Sequence, residues 1–213
     1  MICVSLAEKT AGAARAAALR HDFAEIRLDA VSGLTRDSVQ MIFAGHPRLI
    51  AAFRPGRVPE PRRLELLTSG VASGAAYVDV EIDAPPSSLR DIIVSARARR
   101  CRPIVSFHDP SGTPTRAVLE DIRRRGFDQG AEIVKIACFS GGPADNARLM
   151  GLLDFPKPVI AVGMGSAGRI TRLVGPLLGA PFTYASPAAG RETAPGQIEA
   201  ERIRRTWEAW RND

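Results

Sequence analysis

Two hydrophobic patterns alternate along the chain. Short runs rich in β-branched residues are followed by longer stretches in which apolar residues recur with helical spacing. The first pattern indicates buried strands and the second indicates amphipathic helices. The predicted strands cover residues 2–6, 24–29, 48–54, 77–82, 103–108, 132–139, 158–164 and 181–186. The predicted helices cover residues 9–20, 34–45, 61–73, 86–100, 115–126, 143–153, 168–178 and 196–211.

Eight strand–helix pairs, joined by short connections, predict an α/β fold. Parallel strands that each precede a helix form either a closed barrel or an open sheet. An open doubly wound sheet usually has about five to seven strands and a GxGxxG turn after its first strand, and that turn is absent here. We therefore predict a (β/α)8 TIM barrel, formed as a single domain by residues 1–213.

The amino-acid composition limits the classes of molecule that the protein is expected to bind. The 213 residues carry a formal net charge of +6, and 26 of the 29 basic residues are arginine. The arginines are spread over amphipathic segments, as is typical of solvated faces, and only 6% of the residues are aromatic, unlike a nucleic-acid-binding surface. No apolar run approaches the roughly 18 residues of a membrane-spanning helix. We expect a small-molecule partner and neither nucleic acid nor membrane.

The cysteines and histidines do not form a metal-binding pattern. Cys3, Cys101 and Cys138 have no paired spacing. This favours small apolar side chains in a reducing, cytoplasmic compartment over a disulfide framework or a zinc site. His21 and His46 fall in predicted helix ends or turns, so a histidine metal site is not expected either.

Polar side chains occupy one face of several predicted strands. Because successive residues of a strand point to opposite faces and the apolar face should pack against the helices, the polar face should point to the barrel axis. The polar positions are Glu25, Arg27 and Asp29, Asp79 and Glu81, Ser106 and His108, with Arg54 ending the third strand and Lys135 within the sixth. Barrel interiors are usually apolar, so buried charge near the carboxyl ends of strands indicates an active site. An ion-pair network that only fixes the strand register is the alternative.

Lys135 is the most informative of these residues. Lysine occurs only three times in the chain, and Lys135 lies within the apolar run EIVKIACF. Burial and nearby arginines favour a neutral amine, which attacks carbonyl groups to form a Schiff base. A simple ion pair with Glu25 or Glu81 is the alternative interpretation. His108, at the end of the neighbouring strand, is suited to take up and return a proton.

Two loops complete the predicted site. The segment GMGSAGRITR follows the seventh strand, and its glycine-rich turn is suited to binding an anion through backbone N–H groups. Arg172, one turn into the following helix, is suited to holding a carboxylate through two hydrogen bonds. The segment ASPAAGRETAPGQ after the eighth strand has the composition of a mobile lid, or of a disordered loop, and presents Thr193 and Gln197 to a substrate.

These stretches together resemble the type I 3-dehydroquinate dehydratase family. The matching segments are ICVSL, EIRLD, the FR of AAFRP, SFHDPSGTPT, EIVKIA, MGSAGRITR and TAPGQ, in family order from residue 2 to residue 197. The resemblance implies a (β/α)8 barrel that needs no metal or organic cofactor. It also implies a lyase reaction of the shikimate pathway towards aromatic amino acids, in which 3-dehydroquinate is dehydrated to 3-dehydroshikimate through a lysine Schiff base.

The resemblance assigns roles to individual residues. It implies that Lys135 forms the imine and that His108 is the general acid and base. The implied substrate-binding residues, which line the ring pocket, hold the carboxylate or close from the lid, are Ser5, Glu25, Arg27, Arg54, Arg172, Thr193 and Gln197.

Two positions depart from the family pattern. The lid position that is usually serine is Thr193, which keeps the hydroxyl group. The family glutamate that lies four residues after the arginine of the third strand, and helps to orient the histidine, is replaced by Val58, and Glu60 and Glu81 are the available substitutes. Two other functions stay open, namely another Schiff-base lyase such as a sugar-phosphate aldolase, and a non-catalytic ligand-binding barrel. The sequence also leaves open whether outer helices pair two copies into a homodimer.

Overall fold

The computed structural model describes residues 1–212, over which strands and helices alternate. The strands are β1 (Ile2–Leu6), β2 (Ala24–Arg27), β3 (Leu49–Ala52), β4 (Tyr77–Glu81), β5 (Arg102–Asp109), β6 (Ile133–Phe139), β7 (Val159–Met164) and β8 (Thr183–Ala185). The helices are α1 (Ala11–Ala18), α2 (Arg36–Phe43), α3 (Glu60–Ala72), α4 (Pro86–Ala98), α5 (Arg116–Asp128), α6 (Pro143–Met150), α7 (Arg169–Val174) and α8 (Ala200–Asn212). Each predicted strand and helix has a counterpart, so the predicted alternation is confirmed.

Residues 6–106 and 125–133 form one compact unit built on four neighbouring strands. In this unit β2, β3, β4 and β5 pair in parallel and in chain order, and Glu81 lies opposite Ser106. Parallel pairing places the carboxyl ends of the four strands at the same edge. Polar residues at these ends are therefore neighbours in space.

The helices of this first unit each bury one apolar face. In α2, Val39, Ile42 and Phe43 recur with helical spacing and are buried, while α2 packs between α1 and α3. A capping box starts this helix, because Thr35 Oγ1 accepts from the Ser38 N–H and Ser38 Oγ accepts from the Thr35 N–H. Among residues 1–212, no helix combines the length and the apolar character needed to cross a membrane.

Residues 1–5, 107–124 and 134–212 form the second compact unit. Here β1 pairs in parallel with β8, and β6 pairs in parallel with β7. Both β6 and β7 are almost continuously buried and apolar, as is usual for strands covered on both faces. Lys135 interrupts the β6 run and lies opposite Ile160 of β7.

The order of the strands identifies the fold class. Across the sheet they follow β7-β6-β5-β4-β3-β2-β1-β8, so strands adjacent in the chain are adjacent in the sheet and β8 returns to β1. This is the strand order of a (β/α)8 barrel. The predicted α/β TIM-barrel fold is therefore confirmed, and the prediction that residues 1–213 act as one domain stays a prediction.

Three of the shifted element boundaries change the predicted position of a polar residue near the site. β2 ends at Arg27 and is followed by a 3-10 turn, Leu28–Ala30, so Asp29 lies beyond the strand. β3 ends at Ala52, so Arg54 lies in the following loop, next to a proline that has no N–H to continue a strand. α8 begins at Ala200, so Gln197 belongs to the preceding loop.

The glycines of GMGSAG allow a close approach between β7 and the start of α7. A Cβ added to Gly163 would lie 2.7 Å from the Cα of Gly168, which is a backbone atom that cannot rotate away. The Gly163 N–H donates to Thr171 Oγ1 at 2.8 Å, and this hydroxyl donates to the Gly168 carbonyl at 2.7 Å. Glycine is therefore required here for packing of a strand against a helix.

We expect Gly163→Ala to destabilise the protein, because the added methyl group overpacks a buried backbone contact at a cost of about 1–3 kcal/mol. The matched control is Gly12→Ala in α1, where an added Cβ meets nothing within 4 Å. This control should be neutral or stabilising by up to about 1 kcal/mol, because alanine favours the helix. Thermal unfolding followed by circular dichroism measures both, and equal melting temperatures for the two variants would contradict the packing argument.

Candidate active site

A cluster of charged side chains lies at the carboxyl ends of β2 to β5 in the first unit. The guanidinium of Arg54 contacts the carboxylate of Glu81 and lies 3.9 Å from that of Asp79. Asp79 in turn accepts a hydrogen bond of 2.6 Å from Ser106 Oγ. Burial disfavours the Arg54 cation, but the carboxylates of Asp79, Glu81 and Glu25 outweigh it and raise the pKa of Arg54 above its ordinary value. Arg54 is thus a fixed cation.

Arg27 and Asp29 form the second ion pair of this cluster. Arg27 Nε donates to Asp29 Oδ1 at 2.9 Å, and Arg27 Nη2 donates to Asp29 Oδ2 at 2.7 Å. Burial alone would raise the pKa of Asp29, but its hydrogen bonds to Arg27 and the charge of that guanidinium lower it below the ordinary value. The carboxylate is therefore ionised at neutral pH. Glu25, a buried residue of β2, interacts electrostatically with both Arg27 and Arg54.

Lys135 is buried within β6 of the second unit. Only 4% of the residue is exposed, and its Nζ lies 4.5 Å from the centroid of the Tyr184 ring on β8. At this distance the Nζ group packs against the aromatic ring. The amine therefore has a defined position in an otherwise apolar strand.

His108 lies near the end of β5 and is followed by a tight turn. The carboxylate of Asp109 accepts hydrogen bonds from the N–H and the hydroxyl of Ser111 and from the N–H of Gly112. Thr113 Oγ1 donates to the carbonyl of Phe139 at 2.7 Å. The loop after His108 is thus held by hydrogen bonds from its own side chains and by a contact with the end of β6. Asp109 therefore stabilises the turn.

Arg172 is a buried cation without a carboxylate partner. It is 2% exposed, and it donates to the carbonyls of Tyr184 at 3.4 Å and Pro195 at 3.5 Å. Its Nε has no hydrogen-bond partner, and no carboxylate within residues 1–212 forms an ion pair with it. Burial, with a smaller contribution from Arg169, lowers the pKa of Arg172 to about 10, which leaves it charged at neutral pH. Such a group is suited to an incoming anion.

The predicted lid residues lie against β1. Thr193 Oγ1 donates to Ser5 Oγ at 2.8 Å, and the Thr193 N–H donates to Gln197 Oε1 at 2.7 Å. Ser5 and Gln197 are both buried. The structure therefore brings these three predicted substrate-binding residues together through hydrogen bonds, and it gives this part of the loop a defined conformation.

The glycine-rich loop after β7 uses its backbone amides internally. The Gly163 N–H is bonded to Thr171, as described above, and the Gly165 N–H donates to the carbonyl of Pro195 at 3.2 Å. A Cβ on Gly196 would lie 2.2 Å from the Gly165 carbonyl oxygen, so the lid and this loop are in close contact. These two amides are not available to an anion while the lid is in this position.

The two acidic residues considered as substitutes at the Val58 position have other partners. Glu60 forms two hydrogen bonds with Arg63, at 2.7 and 2.8 Å, and Glu81 contacts Arg54. Arg63 is only 1% exposed and also donates to the carbonyl of Phe53. The expectation that arginines outside the site lie on solvated faces is therefore wrong for Arg63.

Five residues that contact one another or the predicted site residues were not assigned a catalytic or substrate-binding role from the sequence, namely Asp29, Asp79, Glu81, Ser106 and Tyr184. Asp79 and Ser106 had a usable signal, because both fall on polar faces of strands. Tyr184 had none, because an aromatic residue in a predicted strand is normally part of the core. Within the part of the chain that the structure describes, no group of three or more acidic, histidine or cysteine side chains is arranged to hold a metal ion.

Comparison with known proteins assigns the chain to a family. The sequence model of the family described as Type I 3-dehydroquinase matches residues 2–212. The chain is 30% identical over 214 residues to 3-dehydroquinate dehydratase of Methanococcus vannielii, covering 96% of this chain and 97% of that protein. It is 32% identical over 216 residues to 3-dehydroquinate dehydratase of Methanothermobacter thermautotrophicus, covering 96% and 94%.

The fold is also similar to that of a solved 3-dehydroquinate dehydratase. The crystal structure of 3-dehydroquinate dehydratase from Geobacillus kaustophilus superimposes with a TM-score of 0.88 at 23% identity, covering 99% of this chain and 91% of that one. The family match spans β1 to α8 and includes the charged cluster, Lys135 and Arg172. The chain belongs to the type I 3-dehydroquinase family.

Proposed function

We propose that this protein dehydrates 3-dehydroquinate to 3-dehydroshikimate, through a Schiff base formed by Lys135. The observation that carries the proposal is a nearly fully buried lysine in the apolar strand β6, in a chain matched by the family over residues 2–212. A lysine amine adds to ketone carbonyls to form a Schiff base. The reaction belongs to the shikimate pathway.

The remaining polar residues bind the substrate in this proposal. Arg172 holds the carboxylate, because it is buried, charged at neutral pH and without an acidic partner. Glu25, Arg27 and Arg54 contact the ring hydroxyl groups. The residues that complete the pocket from β1 and the lid are Ser5, Thr193 and Gln197.

The chemistry proceeds in four steps. The amine of Lys135 adds to the C3 ketone, and His108 assists loss of the carbinolamine hydroxyl as water, which leaves a protonated imine. The positive nitrogen acidifies the hydrogen on C2, because the electrons released there flow onto nitrogen. His108 removes that proton and then protonates the departing C1 hydroxyl, so water is lost by syn elimination. Hydrolysis of the imine releases the product and restores Lys135. Proton transfer of this kind contributes about 10²- to 10⁴-fold in rate.

The aldolase alternative is less well supported. A sugar-phosphate aldolase needs a phosphate-binding loop, and the loop after β7 already uses the Gly163 and Gly165 amides for internal hydrogen bonds. A ligand-binding barrel without turnover would bind 3-dehydroquinate and form no product, which the first experiment below detects. Cytoplasmic location and a homodimer stay predictions.

Lys135→Ala should abolish turnover and covalent capture, because the nucleophile is removed. We would incubate the protein with 3-dehydroquinate, reduce with borohydride and locate the mass increase by peptide mass spectrometry. The other two lysines, Lys9 and Lys157, are exposed, so Lys157→Ala is a matched control that should trap substrate like the wild type. Product is followed by the ultraviolet absorbance of the enone. Normal turnover by Lys135→Ala would exclude the Schiff-base mechanism.

His108→Ala should separate imine formation from proton transfer. We expect borohydride still to trap substrate on Lys135, although more slowly because His108 assists imine formation, whereas the turnover rate falls by about 10²- to 10⁴-fold because the general acid and base is lost. Quench-flow mass spectrometry of the intact protein measures both quantities. A variant that forms no adduct, or one that turns over at the wild-type rate, would contradict this division of roles.

Arg172→Met should weaken substrate binding and stabilise the ligand-free protein. Loss of a buried charged contact to the carboxylate should raise KM by about 30-fold or more. Removal of an unpaired buried cation should raise the melting temperature by a few degrees, since about 1 kcal/mol corresponds to roughly 2–4 °C in a chain of this size. The control is Arg169→Met, an exposed arginine of the same helix, which should change neither value appreciably. An unchanged KM would exclude the carboxylate contact, and a lower melting temperature for Arg172→Met would contradict the destabilising effect assigned to the buried cation.

A further inference from the structure

One buried carboxylate, that of Asp29, contacts both Arg27 and Arg54 in the first unit. It receives two hydrogen bonds from the Arg27 guanidinium, at 2.9 and 2.7 Å. Its Oδ1 also accepts the backbone N–H of Arg54 at 3.3 Å. The Asp29 side chain is 6% exposed, so these bonds replace its hydration. No substrate contact is assigned to Asp29 in the proposed function.

The local backbone is shaped for this contact. In a continuous strand, the Cα atoms of residues two apart are about 6.6 Å from each other, and their side chains project from the same face. Two side chains that project in parallel at this separation are too far apart to form two short hydrogen bonds. The chain instead leaves β2 at Arg27, with φ −78° and ψ 81°, and enters the turn Leu28–Ala30. This turn carries Asp29 to a position where its carboxylate meets the guanidinium edge formed by Nε and Nη2.

The pairing determines which part of Arg27 is available to a ligand. Nε and Nη2 both point to Asp29, whereas Nη1 has no hydrogen bond to any residue in the range 1–212. Arg27 is also partly exposed, with 17% of its side chain accessible. The free Nη1 group is therefore held in a fixed direction by a carboxylate on the opposite edge.

The same carboxylate also fixes the position of the Arg54 backbone. Arg54 lies in the loop beyond β3, where no strand pairing holds its backbone, and its N–H is bonded to Asp29. From that anchored backbone its guanidinium extends to Glu81 and Asp79. Movement of Asp29 would therefore displace the side chain of Arg27 and the backbone of Arg54 together.

We propose that Asp29 is a positioning residue for substrate binding, which sets the directions of Arg27 and Arg54 at the same time. This inference rests on the proposed function, in which both arginines contact the substrate. Because the two arginines bind the ring in the ground state and in the transition state alike, a misplaced pair should affect KM more than kcat.

The test measures kcat and KM for 3-dehydroquinate in wild type, Asp29→Ala, Asp29→Asn, Arg27→Met and the double variant Asp29→Ala/Arg27→Met. We expect Asp29→Ala to raise KM by about 10- to 100-fold, with kcat within about threefold of wild type and normal borohydride trapping at saturating substrate. Asp29→Asn should lie between, because its amide oxygen still accepts one or two of the three hydrogen bonds and the variant retains the buried shape. The control is Asp121→Ala, which removes an exposed partner of Arg124 on α5 and should leave KM unchanged.

The double variant tests whether Asp29 influences substrate binding through Arg27. If Asp29 acts through Arg27, the KM increase of the double variant should fall short of the product of the two single increases by about fivefold or more. Multiplicative effects, an unchanged KM in both Asp29 variants, or a loss confined to kcat would overturn the inference while leaving the proposed function intact. A wild-type protein that neither converts 3-dehydroquinate nor traps it on Lys135 would overturn the proposed function, and this inference with it.

Discussion

The arrangement of side chains at the strand ends depends on the partners that stabilise the buried guanidinium groups. A guanidinium removed from water is tolerated when carboxylates or hydrogen bonds replace its hydration. Arg54 and Arg27 meet this condition through Asp79, Glu81 and Asp29, whereas Arg172 has only two long hydrogen bonds to carbonyl oxygens. The paired arginines are therefore rigid before any ligand arrives. The unpaired arginine is the place where an arriving anion changes the electrostatic energy most.

Tyr184 contacts both Lys135 and Arg172, the two buried basic residues of the proposed site in the second unit. Its ring lies against the Lys135 amine, and its backbone carbonyl accepts a hydrogen bond from Arg172. Because both contacts come from a single residue of β8, the position of this short strand sets the amine and the guanidinium together. The adjacent lid, which is bonded to Ser5 and to the loop after β7, follows the same strand in the chain. In the proposed function, substrate recognition and the nucleophile therefore both depend on the position of β8.

The sequence predicted the regular elements well and the irregular ones poorly. Strand and helix periodicities depend on burial of one face, so they can be recognised directly in the order of apolar and polar residues. Asp29, Arg54 and Gln197 lie just beyond element ends, where side-chain hydrogen bonds and proline decide the path of the chain, so their predicted elements were wrong. Arg63 was missed for a different reason. Its burial depends on a pairing with Glu60 on the same helix, and charge patterns alone do not distinguish such a pair from a solvated one.

The scarcity of lysine gives the outer surface an unusual chemical character. Arginine stands at nearly all basic positions, and two of the three lysines, Lys9 and Lys157, are exposed. Reducing sugars and aldehydes react with amines and far less readily with guanidinium groups, since these stay protonated. The protein therefore offers few sites for glycation or for amine-directed coupling to a support. A coupling reaction through these two positions would leave most of the surface unmodified.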